Sequence, residues 1–275
     1  MIIYVCKKLQ KIGQYNTMDK KLSLQEVKTR EVKILDYFVS ICEKYNLTYY
    51  LTDGTLLGAI RHKGFIPWDD DIDVSMSRID YEKFLDVCKN EESTDFMILT
   101  PELEDYPYNF IKIVDLGTRL IEEEMMDIPN MGIWIDVLPL DGIKVPNGLH
   151  VKLLKYLNLA RAAASYKVCP KKRKGMYWQW KLCRMIGLKP LKRLYTIISR
   201  HYEFGKVPYV GWTQIAFRAL YPKDVFESTT RVTFEGKEYN APSGYDEYLR
   251  IQYKNYMVLP PVEKRTAHFV QAVYK

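Results

Sequence analysis

No apolar run in this 275-residue chain approaches the roughly 20 residues that a membrane-spanning helix requires. A secretory leader is not expected either: five apolar residues after Met1 precede Lys7 and Lys8, the reverse of the leader order. Secretion and membrane spanning are disfavoured, and a cytoplasmic location is expected. Cysteine is scarce and scattered (Cys6, Cys42, Cys88, Cys169, Cys183), odd in number and without a C-x-x-C pair. That argues against a disulfide framework or a zinc knuckle, and buried free thiols are expected for the four that sit among apolar residues. The histidines (His62, His150, His201, His268) show neither H-x-x-x-H nor H-E-x-x-H spacing, which argues against a zinc-protease helix. Internal repeats and low-complexity linkers are also missing. What remains is 47% hydrophobic and 27% charged, an ordinary globular composition long enough for one large domain or a core with an appended lobe.

Acid is nearly missing from one stretch. Between His150 and Lys206 there are 15 Lys or Arg residues against a single acid, Glu203, leaving +14 there and −7 over the rest of a chain of net charge +7. A basic block on an acidic body points to a localised anionic partner, not to uniform nucleic-acid binding. Tyr177, Trp178 and Trp180 lie among those cations, a mixture typical of interfacial helices. Peripheral contact of Lys152 to Lys206 with an anionic membrane is therefore expected, with Lys171, Lys172, Arg173 and Lys174 contributing. The competing reading is that these cations balance the acidic body across a lobe interface.

Ser23-Leu-Gln-Glu26 has capping-box spacing, and Leu35, Phe38, Val39 and Cys42 follow helical periodicity, predicting a helix from Ser23 to about Tyr45. Leu47 to Leu51 and Asp71 to Ser75 read as short strands around a short helix from Thr55 to Arg61. Tyr81, Phe84, Leu85 and Cys88 mark another helix face. Phe96 to Thr100, Tyr108 to Val114, Thr118 to Glu122 and Gly132 to Leu138 have the β-branched and aromatic content of strands. Helical patterns return at about 149–166, 175–187 and 190–203, then a hairpin around Glu235-Gly236 and a helix from Tyr245 to Gln252. The expected architecture is an α/β (α+β) mixed sheet with helices over 20–145, plus a helical basic lobe and C-terminal segment over 146–275.

The chemistry concentrates between Gly54 and Val74. In an extended strand, Asp69, Asp71 and Asp73 would share one face, and two carboxylates roughly 6–7 Å apart would cradle magnesium. An isolated acidic triplet is usually a solvated loop, but this one follows Trp68 and runs into Ile72-Asp73-Val74. The Gly54-Thr55 turn offers backbone amides and a hydroxyl to a phosphate. Asp136, alone inside the apolar run Ile133 to Leu140, is costly to bury unless paired or metal-bound, so it is the candidate third carboxylate. Secondary candidates are Arg61, His62 and Lys63 between turn and acids, Lys112 among apolar residues, and His268; each has a phosphate-binding and a purely structural reading. Asp69 is a candidate base or orienting group.

The run Thr52-Asp-Gly54-Thr-Leu-Leu-Gly58-Ala-Ile-Arg61-His-Lys-Gly-Phe-Ile-Pro-Trp68-Asp-Asp-Asp71-Ile-Asp73 closely resembles the LicD family of phosphocholine transferases, which includes the fukutin-related sugar-alcohol phosphate transferases. Ile135-Asp136-Val-Leu-Pro-Leu-Asp141 resembles its second block, and the stretch from Tyr256 through Pro261 and Arg265 to His268 resembles its C-terminal block. The resemblance implies a nucleotidyltransferase (polymerase β-like) fold, with Gly54-Thr55 in place of the commoner Gly-Ser. It matches Asp71, Asp73 and Asp136 to metal-binding acids for Mg2+, with Mn2+ as an alternative. It implies a CDP-alcohol donor, CDP-choline first, and a glycan or lipid-linked glycan acceptor such as lipopolysaccharide, teichoic acid or capsular polysaccharide. A nucleotidyltransferase using a nucleoside triphosphate is the alternative, and a non-catalytic binding module is disfavoured because all three acids are present.

Overall fold

The computed structural model describes residues 20–120, 128–166, 169, 176–214, 219–265 and 272–275. The first helix, α1 (Leu24–Lys44), begins as its sequence dictates: Ser23 Oγ accepts from the Glu26 amide, and Glu26 returns a carboxylate to the Ser23 amide. Its apolar stripe, Ile34, Leu35, Phe38 and Ile41, is fully buried. There follow β1 (Tyr50–Leu51), α2 (Asp53–His62), β2 (Asp73–Ser77) and α3 (Arg78–Val87). Phe38 of α1 meets Phe84 of α3 with ring centroids 5.2 Å apart.

Further strands of the main sheet are β3 (Phe96–Leu99), β4 (Ile111–Asp115) and β6 (Trp134–Ile143); β5 (Thr118–Leu120) lies apart. The sheet runs β1-β2-β6-β4-β3, with β2 parallel to β6 and the other neighbours antiparallel. The expected mixed sheet with helices is present. β6 is five residues longer at its C-terminal end than its sequence pattern suggested, because its far half pairs with β7 (Tyr209–Gly211), which carries β8 (Tyr221–Pro222).

One expectation is overturned. Asp71 is not in a strand: the ladder starts at Ile72 and Asp73, whose carbonyls accept from the Asp136 and Thr52 amides. Upstream the chain turns away, the Asp69 amide donating to the Ile66 carbonyl. Asp69, Asp71 and Asp73 therefore do not align along one strand face; the first two reach the site from a loop.

The basic helices α4 (Leu149–Ser165), α5 (Tyr177–Ile186) and α6 (Leu188–Ser199) build a small cluster of their own around Leu154, Leu157, Leu191 and Tyr195. Two of the block's cations turn inward. Arg161 hydrogen-bonds the Pro107 carbonyl, and Lys192 Nζ donates to the carbonyls of Leu103 (3.0 Å) and Tyr106 (2.6 Å), fastening the helices to the loop before β4. Burial lowers the Lys192 pKa to about 8.

The hairpin β9 (Thr229–Phe234) and β10 (Lys237–Pro242) turns at Glu235 (φ 49°) and Gly236 (φ 78°), the left-handed pair that a tight two-residue turn requires. Then come α7 (Tyr245–Tyr253) and β11 (Ala272–Tyr274), which pairs with β5. Val210, Trp212, Phe226, Phe234 and Tyr248 join the main core, so the chain returns to the sheet after the basic helices. Of the described cysteines only Cys42 is buried; Cys88, Cys169 and Cys183 are half-buried, fewer than the sequence led us to expect, and all four are free thiols.

Candidate active site

Sheet register builds the centre of the site. The parallel β2–β6 pairing sets Asp73 opposite Asp136, and the antiparallel β4–β6 pairing sets Lys112 opposite the same Asp136. Paired residues share a face, so Asp73, Asp136 and Lys112 form a row across three strands. Lys112 Nζ lies 2.5 Å from Asp136 Oδ1. Its ammonium is also ringed by Trp134, Tyr108 and Phe110, with centroids 4.3, 4.9 and 5.3 Å away. The expected burial cost of Asp136 is thus met by an internal cation.

The other acids are less well compensated. Burial pushes the Asp73 carboxyl well above the usual range, and Asp71, Asp53 and Asp136 add to the shift while Lys112 opposes it. Asp71 is raised to about 7, first by the protein around it and then by the carboxylates of Asp69, Asp136, Asp70 and Asp53. Burial also raises Asp136, against the pull of Lys112 and a hydrogen bond with Trp134. Below them Glu31 of α1 is buried and pushed well up by burial and then by Asp71, Asp70 and Asp69.

The N-terminus of α2 is fixed against this row. The Thr52 amide donates to the Asp73 carbonyl at 3.1 Å, and Thr55 Oγ1 accepts from the Asp73 amide at 2.9 Å. Thr55, expected to face a phosphate, is instead a buried brace for Asp73. A Cβ at Gly54 would lie 2.6 Å from Asp69 Oδ2 and 3.9 Å from Asp71 Oδ1, so the missing side chain lets backbone and carboxylates approach. Asp53 holds a left-handed φ of 47°. Its amide donates to Tyr248 Oη (2.9 Å), and its Oδ1 accepts from Gln252 Nε2 (2.8 Å) and Tyr253 Oη (3.0 Å) of α7.

The loop between α2 and the acids is clamped by the distant hairpin: Glu235 Oε1 accepts from the Phe65 amide, and the Glu235 amide donates to the Lys63 carbonyl. Lys63 is exposed and ends α2 in the left-handed region. Arg61 donates to the Tyr256 carbonyl (2.8 Å) and to His62 Nε2 (2.9 Å). Among the described residues neither Arg61 nor Lys63 forms an ion pair with the carboxylates; Arg61 is held by a backbone carbonyl and Lys63 is exposed. Arg265 lies over the Trp68 ring at 5.1 Å, bringing the C-terminal block to the acidic loop. His268 lies outside the described residues.

Sequence reasoning missed Asp53, Glu31, Tyr253 and Trp134. Trp134 had a signal, standing two residues before Asp136 and so on its face; Glu31 and Tyr253 had none, because only tertiary packing brings them near. As placed, no three His, Cys, Asp or Glu side chains among the described residues converge tightly enough to hold a metal ion. The donor chemistry nevertheless fits a hard divalent cation: carboxylate oxygens only, mutually raised, with an ammonium partly answering their demand for positive charge.

The mixed sheet thus brings two carboxylates and an ammonium together on one face. Residues 46–106 match the family model described as LicD/FKTN/FKRP, nucleotidyltransferase domain. The chain is 33% identical over 266 residues to the lipopolysaccharide cholinephosphotransferase LicD of Haemophilus influenzae, covering 93% of this chain and 99% of that protein. It is also 29% identical over 132 residues to an uncharacterised protein of Rickettsia prowazekii, covering 41% of this chain and 47% of that one. The chain therefore belongs to the LicD family of phosphotransferases. Among the described residues no helix is long and apolar enough to cross a membrane.

Proposed function

We propose that the protein transfers phosphocholine from a CDP-linked donor to a hydroxyl of a cell-surface glycan or its lipid-linked precursor, lipopolysaccharide being the acceptor named for its Haemophilus relative. The observation that carries this reading is the row Asp73–Asp136–Lys112, with Asp71 and the α2 N-terminus beside it. We take residues 20–145 as a nucleotidyltransferase-like catalytic core and 146–275 as the part that completes it.

In the reaction the acceptor oxygen forms a bond to the choline phosphorus, the bond to CMP breaks, and the hydroxyl proton leaves to a base. Asp71, Asp73 and Asp136 would hold Mg2+ or Mn2+, which when bound neutralises the donor diphosphate and the charge growing on CMP. Lys112 faces the same point and offers its ammonium to a donor phosphate once Asp136 is otherwise engaged. Gly54 keeps the α2 backbone open to the donor, and Asp69, against that backbone, takes the hydroxyl proton or orients the hydroxyl.

Purified protein with magnesium, a glycan acceptor, and CDP-choline, CDP-ethanolamine, CDP-glycerol, CDP-ribitol or a nucleoside triphosphate tests the proposal. CMP release from CDP-choline with labelled choline phosphate on the acceptor supports it. Release from another CDP-alcohol alone would change the transferred group, and pyrophosphate release from a triphosphate would replace the reading with nucleotidyl transfer.

A further inference from the structure

Helix α5 is amphipathic yet has no buried residue. Trp178 and Met185 are 74% and 75% exposed, and Leu182 and Ile186 also stand out. On the neighbouring α4, Leu149, Leu153, Tyr156 and Leu159 recur at helical spacing and are exposed as well, Leu149 at 82%. Between the two helices lies an apolar groove of about 610 Å3 lined by Tyr156, Leu159, Ala163, Trp180, Leu182 and Cys183. Single exposed apolar residues are ordinary, but exposed apolar residues at helical spacing on two helices, with Tyr156, Leu159 and Leu182 among them lining the groove, mark an interaction surface.

The charge on these helices decides the partner. Neither α4 nor α5 contains an acid, and the exposed Lys152, Lys155, Lys181 and Arg184 accompany the apolar residues. Lys181 Nζ lies 5.2 Å from the Trp178 ring and the Arg184 guanidinium 5.5 Å from the Trp180 ring, so the cationic heads travel with aromatic bodies. We infer that α4 and α5 form a docking face for an anionic lipid bilayer, with one lipid hydrocarbon chain seated in the groove. A protein partner of matching acidity would leave the groove without a linear apolar occupant, whereas a lipid supplies anion and chain together. The inference is independent of the donor and of the transferred group.

Co-sedimentation of the full chain with phosphatidylcholine vesicles, with and without phosphatidylglycerol, tests it. Wild type should bind only the anionic vesicles and release as salt rises. Trp178→Ser with Met185→Ser should weaken binding at least tenfold, and Lys152→Gln with Lys181→Gln about fivefold per cation. These side chains are exposed, so thermal melting should not move, which separates lost docking from lost folding. The inference is overturned if wild type ignores anionic vesicles at low salt, if it binds neutral vesicles equally, or if both double variants bind like wild type. Self-association abolished by the Trp178 and Met185 changes, without vesicle binding, would assign the face to a second copy instead.

Discussion

Neutralising one carboxylate of the acidic row should make the metal-free protein more stable, and Asp71→Asn is the variant for which the size can be worked out. The Asp71 carboxyl ordinarily titrates near 3.8 and here is raised to about 7. Taken at face value, that difference makes proton binding to the folded state about 4 kcal/mol tighter. Protein is dense around the carboxyl, but the residue as a whole keeps contact with solvent, so screening reduces the usable part to about 1 kcal/mol. The sign follows from linkage. Below the unfolded pKa both states are protonated and the carboxyl costs nothing; between about 3.8 and about 7 the unfolded state ionises while the folded one keeps its proton, so stability falls, and the loss is complete above 7. Asn removes that loss. In EDTA, low salt and pH 8, Asp71→Asn should raise Tm by about 2–4 °C, and the gap should shrink as pH is lowered to 5. Magnesium should then stabilise wild type more than the variant, closing or reversing the gap. Thermal denaturation followed by circular dichroism at two pH values, with EDTA and with magnesium, measures all of this. A variant equal to or less stable than wild type at pH 8 in EDTA would refute the account of Asp71 as an ion forced among like charges.

Asp73→Asn and Asp136→Asn should each abolish CMP release while the protein still folds; turnover near wild type at saturating magnesium, by either, would remove that residue from the site. Lys112→Met leaves Asp136 without its cation and should lower stability by about 3 kcal/mol in urea denaturation, most of which Asp136→Asn in the same chain should restore; additive losses would mean the pair is not coupled. Gly54→Ala puts a methyl 2.6 Å from Asp69 Oδ2 and should cut kcat on the order of 100-fold with little change in Tm, so a fully active variant would show that the close approach is dispensable.

The legible parts of the sequence were those in which local chemistry and tertiary role coincide. Ser23 and Glu26 needed nothing beyond four residues to announce α1, and Glu235-Gly236 announced its hairpin in the same way. Asp136 was legible because a lone acid in an apolar strand is a physical contradiction until something compensates it; the structure supplies Lys112. Alternation misled at Asp69 and Asp71, because strand periodicity holds only where a neighbouring strand is available to pair, and pairing begins at Ile72 and Asp73. The brace at Thr55 was not legible, because a hydroxyl after a glycine turn looks alike from sequence whether or not it accepts from the amide of Asp73.

The placement of the braces explains why such a repulsive cluster can persist. The carboxylates are held by other parts of the chain: Thr55 on the Asp73 amide, α7 on Asp53, the β9–β10 hairpin on the loop at Lys63 and Phe65, and Arg265 over Trp68. Apart from the α7 side chains, which donate to the Asp53 carboxylate, each fixes backbone or an aromatic ring, so geometry is kept with little loss of the site's negative potential. Lys112 is different, a direct counter-charge on Asp136, and a ligand that engages Asp136 leaves that ammonium within the same aromatic ring of Trp134, Tyr108 and Phe110. The fold thus holds the Lys112 ammonium beside its acids whether or not Asp136 is engaged.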